Sequence, residues 1–166
     1  MGKSIGSFER HCGLAIGLAL VLCCCTAPLI GAQDQSGSMI DAISLERGCF
    51  GCTGSVLVLR RDGTATFTVT GNARQGTEDR TSSGKVAVED FEKLARLIVA
   101  QGFFEMKDLY DDATTRDGPW TTTRVARAGR DKVVFRREHV GPAALSAVET
   151  AIDALKAQIE FIPKLR

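Results

Sequence analysis

Alternating apolar and polar residues mark five segments of the chain as β-strands. The clearest is Ser55–Arg60, which is rich in valine and leucine, a composition and alternation typical of strands. Asp62-Gly63 follows it, and this dipeptide readily supplies the positive φ angles of a tight hairpin turn. The five predicted strands are residues 40–47, 55–60, 65–70, 121–128 and 132–138.

Two other segments repeat their apolar residues at intervals of three and four, which predicts amphipathic helices. The first covers residues 88–101, with Glu89 and Asp90 in its first turn, where acidic side chains suit the helix dipole. The second begins after Gly141-Pro142, because proline is well suited to the first turn of a helix. Its apolar seam is Leu145, Val148, Ile152, Leu155 and Ile159.

The order of these elements favours an α+β domain. We expect an antiparallel sheet of four to five strands with two amphipathic helices packed on one face. The polar stretch 71–85 has no hydrophobic period and is expected to be a long loop. The side chains expected to face the helices are Leu57, Leu59, Phe67, Val69, Val125, Val133 and Phe135.

The first 32 residues show the succession of basic, apolar and small residues that is typical of a secretory signal. We expect residues 1–32 to be a signal peptide that is cleaved near Ala32. Lipidation at the Cys23–Cys25 cluster is one alternative, and it would tether the protein to the membrane. An uncleaved anchor is another, although the apolar run 13–25 is shorter than the ~20 residues that a spanning helix needs.

Removal of residues 1–32 would leave a formally neutral chain in which His139 is the one histidine. A neutral domain has no global field to attract nucleic acid, so nucleic acid is not an expected partner. We expect the protein to be exported, either periplasmic or secreted, with possible lipid anchoring to the membrane. Residues 33–39 are predicted to be a flexible lead-in, and residues 40–163 a single α+β domain.

Cys49 and Cys52 form a C-x-x-C motif in the predicted domain. In an oxidising compartment the simplest interpretation is a structural disulfide, which in so short a loop contributes about 2 kcal/mol. A fully extended segment would hold the two Cα atoms about 10 Å apart, so the chain must turn here, and Gly51 makes this easy. Free thiols, dithiol redox chemistry and metal binding stay open. A redox site usually begins a helix, whereas a predicted strand follows here.

The sequence predicts no catalytic constellation, no metal site and no cofactor. Zinc needs about three or four ligands, and His139 lies far along the chain from the two cysteines. No strand–Gly-x-Ser-x-Gly–helix pattern supports a hydrolase triad.

Basic and hydroxyl side chains are expected on the sheet face that points away from the helices. Such a flat surface suits an anionic partner, such as a protein or polymer of the cell envelope, although it also fits an ordinary solvated sheet face. The possible ligand-contact residues are Arg60, Arg124 and Arg136, beside Thr66 and Thr68.

Several short segments carry a resemblance to a known family. They are Ile43-Ser-Leu-Glu-Arg47, Cys49-Phe-Gly-Cys52, Arg61-Asp-Gly63, Gly102-Phe-Phe104, Tyr110 and Asp117-Gly-Pro119. With them the chain resembles the domain of unknown function 6438 family of exported bacterial proteins, over residues 43–162. The family pattern has one more residue between Gly51 and Cys52. The resemblance implies an exported protein and no particular activity.

Taken together, these patterns predict a non-enzymatic domain that binds or scaffolds a protein or polymer of the cell envelope. The alternative is a thiol/disulfide redox protein that uses the Cys49–Cys52 pair.

Overall fold

The structure is a computed structural model of the 166-residue chain and describes residues 40–111, 114 and 117–164. The predicted signal peptide and lead-in, residues 1–39, lie outside the described residues, as does the Cys23–Cys25 cluster. The described elements are β1 (Ile40–Gly48), β2 (Ser55–Arg60), β3 (Thr64–Val69), β4 (Arg80–Lys85), α1 (Val88–Ala100), β5 (Leu109–Tyr110), β6 (Trp120–Arg127), β7 (Arg130–Arg137), α2 (Ala143–Lys156) and β8 (Ile162–Pro163).

The eight strands of the described part form one sheet in the order β5-β7-β6-β1-β2-β3-β4-β8. β5 runs parallel to β7, and the other neighbouring strands are antiparallel. The protein is α+β, but the prediction of an antiparallel sheet with four to five strands is wrong. The sheet is mixed, and three of its strands were not predicted.

The three additional strands, β4, β5 and β8, lack a hydrophobic pattern for physical reasons. β4 has the polar sequence Arg-Thr-Ser-Ser-Gly-Lys, and its Gly84 lies under the chain that follows α2. A Cβ at Gly84 would lie 2.8 Å from the carbonyl oxygen of Glu160, so glycine is required by close packing and not by turn geometry. β5 and β8 have two residues each, and two residues cannot show a period.

β1 joins the two halves of the sheet. On one side it pairs with β2 of the first hairpin, and on the other with β6 of the second hairpin. At its start, the register shifts between Ile40 and Ala42, which leaves Asp41 as an extra residue in a bulge. The Asp41 carboxylate accepts a hydrogen bond of 3.1 Å from the backbone N–H of Ala128 in the β6–β7 turn.

Both helices cover the same face of the sheet, and the core lies between them. α1 buries Phe91, Leu94, Ala95 and Ile98, the residues that the helical spacing predicts. α2 buries most of its predicted seam but ends at Lys156, so Ile159 reaches the core from beyond the helix. The fully buried sheet residues opposite them include Ile40, Ile43, Leu59, Thr123, Val125 and Val134. In the described part of the chain, no helix has both the length and the apolar content to span a membrane.

Candidate functional site

The sheet face opposite the helices, here called the open face, is not covered by either described helix. Strand alternation and the pairing register arrange its side chains in two parallel rows. The first row is Thr122, Glu46, Val56, Thr68 and Thr81. The second is Arg124, Ser44, Val58, Thr66 and Ser83. Hydroxyl groups therefore dominate these two rows, with two valines at their centre.

Arg60 and Arg124 both lie on the open face and are exposed. Arg60 pairs with Ala42 and Arg124 with Ser44, so the two guanidinium groups flank β1 from opposite sides. Arg124 donates a hydrogen bond of 2.9 Å to the carboxylate of Asp131 on β7. Arg60 forms no salt bridge among the described residues.

Arg136, the third predicted contact residue, does not lie on the open face. It lies opposite Thr121 on the helix-covered face and is only 6% exposed. Val133 and Phe135, which were expected to face the helices, lie on the open face instead. Alternation along β7 allows either set of side chains to face the helices. The prediction chose the more apolar set, which contains Val133 and Phe135, and this choice is wrong. A charged residue is tolerated in the covered set because α2 supplies a counterion.

That counterion is Glu149, which is 2% exposed and forms an ion pair with Arg136. Arg136 also donates a hydrogen bond of 3.0 Å to the hydroxyl of Ser146. Burial raises the pKa of Glu149, although the charge of Arg136 acts in the opposite direction. Glu149 lies four residues after Leu145, within the apolar seam of the helix. Its place within this seam is the feature of the sequence from which burial of the carboxylate could have been predicted.

A second ion pair holds α2 on the sheet at a more exposed position. Arg47 of β1 donates two hydrogen bonds of 2.7 Å to the two carboxylate oxygens of Asp153. Hydrogen bonding to Asp153 raises the pKa of Arg47. Among the described residues, three buried polar atoms have no hydrogen-bond partner: Thr123 Oγ1, Arg136 Nε and Glu149 Oε1. The two ion pairs, one buried and one partly exposed, join α2 to the sheet and so position the helix.

Cys49 and Cys52 lie in the turn between β1 and β2, with their sulfur atoms at disulfide distance and their Cα atoms 5.4 Å apart. That Cα separation is within the usual range for a disulfide. Gly51 has a φ of 77°, the left-handed conformation that closes the turn. Phe50 projects from this loop and is 67% exposed. The Arg74 guanidinium carbon lies 5.3 Å from the centre of its ring.

The indole of Trp120 lies against the backbone of β1 where the cysteine loop begins. Trp120 pairs with Gly48, the last residue of β1. A Cβ at Gly48 would lie 2.7 Å from Cε2 of the indole, so a larger residue cannot occupy this position without displacing the ring. Glycine here therefore provides space for a side chain of the neighbouring strand.

The described residues contain no cluster of three or more His, Cys, Asp or Glu side chains that could hold a metal ion. His139 is exposed in the turn that follows β7.

The fold and this surface define a small α+β domain with one open sheet face and a cysteine-closed turn at its end. Residues 41–156 match the family model described as Domain of unknown function (DUF6438), and the chain belongs to that family. The match extends from β1 to the end of α2, so it contains the open face, the cysteine pair and the Arg136–Glu149 pair. No curated protein matches the chain significantly.

Proposed function

We propose that the protein is an exported, non-enzymatic domain of the bacterial cell envelope that binds an anionic envelope polymer on its open face. The observation that carries this proposal is the exposure of Arg60 and Arg124 on one uncovered sheet surface. The hydroxyl groups of the two rows are additional donors and acceptors for a hydrated polymer.

The spacing of the two arginines supports a polymeric partner over a small ion. They lie on strands to either side of β1 and are offset by two residues along it, which places their backbones about 12 Å apart. A chain that carries repeated anionic groups can offer a separate group to each guanidinium, whereas one small anion offers a single charged group to both. Guanidinium groups bind carboxylate and phosphate oxygens through two parallel hydrogen bonds. Asp131 holds the Arg124 side chain in place, and the polymer would compete with it.

The test uses dextran sulfate as a model anionic polysaccharide and uncharged dextran as its reference. We expect the protein to bind dextran sulfate at low salt and to be released from it by added salt. It should not bind uncharged dextran. The double substitution Arg60→Glu/Arg124→Glu should abolish this binding and leave the melting temperature nearly unchanged, because both side chains are exposed.

The matched control is Lys93→Glu/Arg96→Glu, which makes the same change in net charge on the exposed side of α1. It should retain binding. If the control loses binding as fully as the open-face variant, net charge and not the open face attracts the polymer, and the proposal is wrong.

Export is the second part of the proposal and depends on residues 1–39. Cleavage near Ala32 would give a soluble exported domain, and lipidation within Cys23–Cys25 would give a membrane-tethered one. The intact mass of the protein from an envelope fraction, with and without reductant, distinguishes these forms. It also reports whether Cys49 and Cys52 are joined. Full-length protein confined to the cytoplasm would contradict export.

A thiol/disulfide redox function is the second candidate, and the surface position of the cysteine turn favours it. Exposed disulfides are accessible to attacking thiolates. The described fold places strands on both sides of the motif, without the helix N-terminus that usually lowers a thiol pKa. A redox role requires a thiol pKa well below the reference of about 8.5 in alkylation-rate measurements. An ordinary thiol pKa together with resistance to mild reductant would leave a structural disulfide.

A further inference from the structure

A polar cleft of about 490 Å³ lies beside the cysteine turn. Its walls come from the residue after Cys52, the end of β3, the following loop and the start of β4. The lining side chains that carry the argument are Thr53, Thr70, Gln75, Thr77, Glu78 and Arg80. The volume is within the range of small-molecule sites. Val69 and Arg80 pair directly in the sheet and lie on its helix-covered face, so the cleft is separate from the open face.

Arg80 is the one cation among the described residues of this lining. Its side chain is exposed and forms no salt bridge with another described residue. An arginine with all five N–H donors available can take a carboxylate in a planar, two-bond arrangement. Hydroxyl and amide groups surround it on the other walls, and these suit the hydroxyl groups of a ligand.

The loop that forms one wall of the cleft is held by its own hydrogen bonds. The Asn72 side chain accepts from the backbone N–H of Arg74 at 3.0 Å, and the Asp79 carboxylate accepts from that of Gly71 at 2.8 Å. The Asn72 amide also donates to the carbonyl of Gly51 at 3.2 Å, which fastens the wall to the cysteine turn. Because these hydrogen bonds already hold the wall in one conformation, the protein loses less conformational entropy when a ligand binds.

The position of Gly71 shows how closely this wall is folded. A Cβ there would lie 2.6 Å from the carbonyl carbon of Glu78, so the two sides of the loop touch. Gly76 also lines the cleft, but a Cβ added there would meet no atom within 4 Å. The loop is therefore compact on its inner side and leaves room for a ligand near Gly76.

We propose that this cleft binds a small hydroxylated monocarboxylate, a sugar acid in chemical class, with its carboxylate on Arg80. Arg80 is the single cation among the described lining residues, which matches a ligand with one carboxylate. The hydroxyl groups of the ligand face Thr53, Thr70 and Gln75.

The test is an amide NMR titration of the purified protein with glucuronate, glucose and inorganic phosphate as separate probes. We expect glucuronate to shift the amides of Gln75, Gly76 and Thr77, and to bind at least about tenfold more tightly than glucose, since a charge-assisted hydrogen bond is lost without the carboxylate. Arg80→Gln should weaken glucuronate binding by about tenfold or more while leaving the melting temperature unchanged.

Arg96→Gln is the matched control, because it removes an exposed arginine of α1 that belongs neither to the cleft nor to the open face. It should leave glucuronate binding intact. Equal affinity for glucose, equal affinity for phosphate, or unaltered binding by Arg80→Gln would each overturn the proposal. Its failure is distinguishable from failure of the polymer-binding function, because dextran sulfate binding depends on Arg60 and Arg124 and not on Arg80.

Discussion

The contact between Trp120 and Gly48 is the most restrictive packing arrangement at the cysteine end of the sheet. The indole covers the backbone of Gly48 on the open face, directly before Cys49. Since Gly48 and Trp120 are paired residues of β1 and β6, their contact fixes how these central strands end. It also sets the point from which the cysteine turn begins.

Gly48→Ala should therefore destabilise the protein by about 1–3 kcal/mol, as overpacking usually does. The measurement is urea unfolding followed by the fluorescence of Trp120, which is the one tryptophan in the chain. We expect the native emission to shift as the indole is displaced. Ser44→Ala on the same strand and face is the control, and it should stay within about 0.5 kcal/mol of the parent. Equal stability of the two variants would show that the indole can move freely.

The attachment of α2 to the sheet depends on two ion pairs of different burial. Arg136–Glu149 is almost completely enclosed, whereas both side chains of Arg47–Asp153 are 41% exposed. Burying two charges costs desolvation free energy, which their mutual attraction must offset. Removing one partner is therefore expected to destabilise the protein more than replacing both with apolar residues.

Arg136→Met alone should destabilise the protein by about 3–5 kcal/mol, because it leaves the Glu149 carboxylate buried without a counterion. The double variant Arg136→Met/Glu149→Leu should recover most of this loss. Chemical unfolding of the single and double variants gives the coupling energy.

The control for this cycle is Arg124–Asp131, a solvent-exposed pair between β6 and β7. Arg124→Met/Asp131→Leu and its single variants should show a coupling below about 1 kcal/mol. Similar coupling in the two cycles would mean that burial does not distinguish the pairs.

Among the elements, those with a strong apolar period could be predicted from sequence, and those that depend on their neighbours could not. The alternation of Leu57 and Leu59 predicts β2, and the helical spacing of residues such as Phe91 and Ile98 predicts α1. β4 has no apolar period, and its Gly84 is required by the close approach of the chain after α2, which the sequence of β4 does not reveal. β5 and β8 exist only because longer strands offer them an edge to pair with.

The same limit applied to the candidate site. Arg60 and Arg124 could be placed on the open face because Leu59 and Val125 beside them are plainly core residues. Arg136 could not, since its strand has apolar side chains on both faces and its counterion belongs to another element. The cleft around Arg80 could not be predicted for a related reason. The polar stretch 71–85, which contains β4, was expected to be a loop.

Two acids with opposite pKa shifts shape the stability of the whole molecule against pH. Burial raises the pKa of Glu149 above its unfolded value of about 4.3. Its stabilising contribution is therefore complete below that value and is lost as pH rises through the folded pKa. The hydroxyl and backbone N–H of Thr64 lower the pKa of Asp62. Its contribution is present above the unfolded pKa of about 3.9 and is lost as pH falls through the folded pKa.

We expect Glu149→Gln to remove the decline in stability on going from acid towards neutral pH, and Asp62→Asn to remove part of the decline at the acid end. Urea unfolding over a pH series measures both effects as changes in slope. If Glu149→Gln leaves the slope of the parent protein unchanged, the carboxylate has an ordinary pKa in the folded state.

The two outermost strands of the described sheet, β5 and β8, have a consequence for the protein at high concentration. Each has only two residues, so each covers part of a longer strand and presents almost no edge of its own. Hydrogen bonds from Phe135 to Asp108 and from Lys164 to Thr81 extend this covering slightly beyond the strands. Long free edges let sheets of separate molecules join and grow into fibres. Short strands that occupy part of each edge shorten the stretch of free backbone that such growth can use.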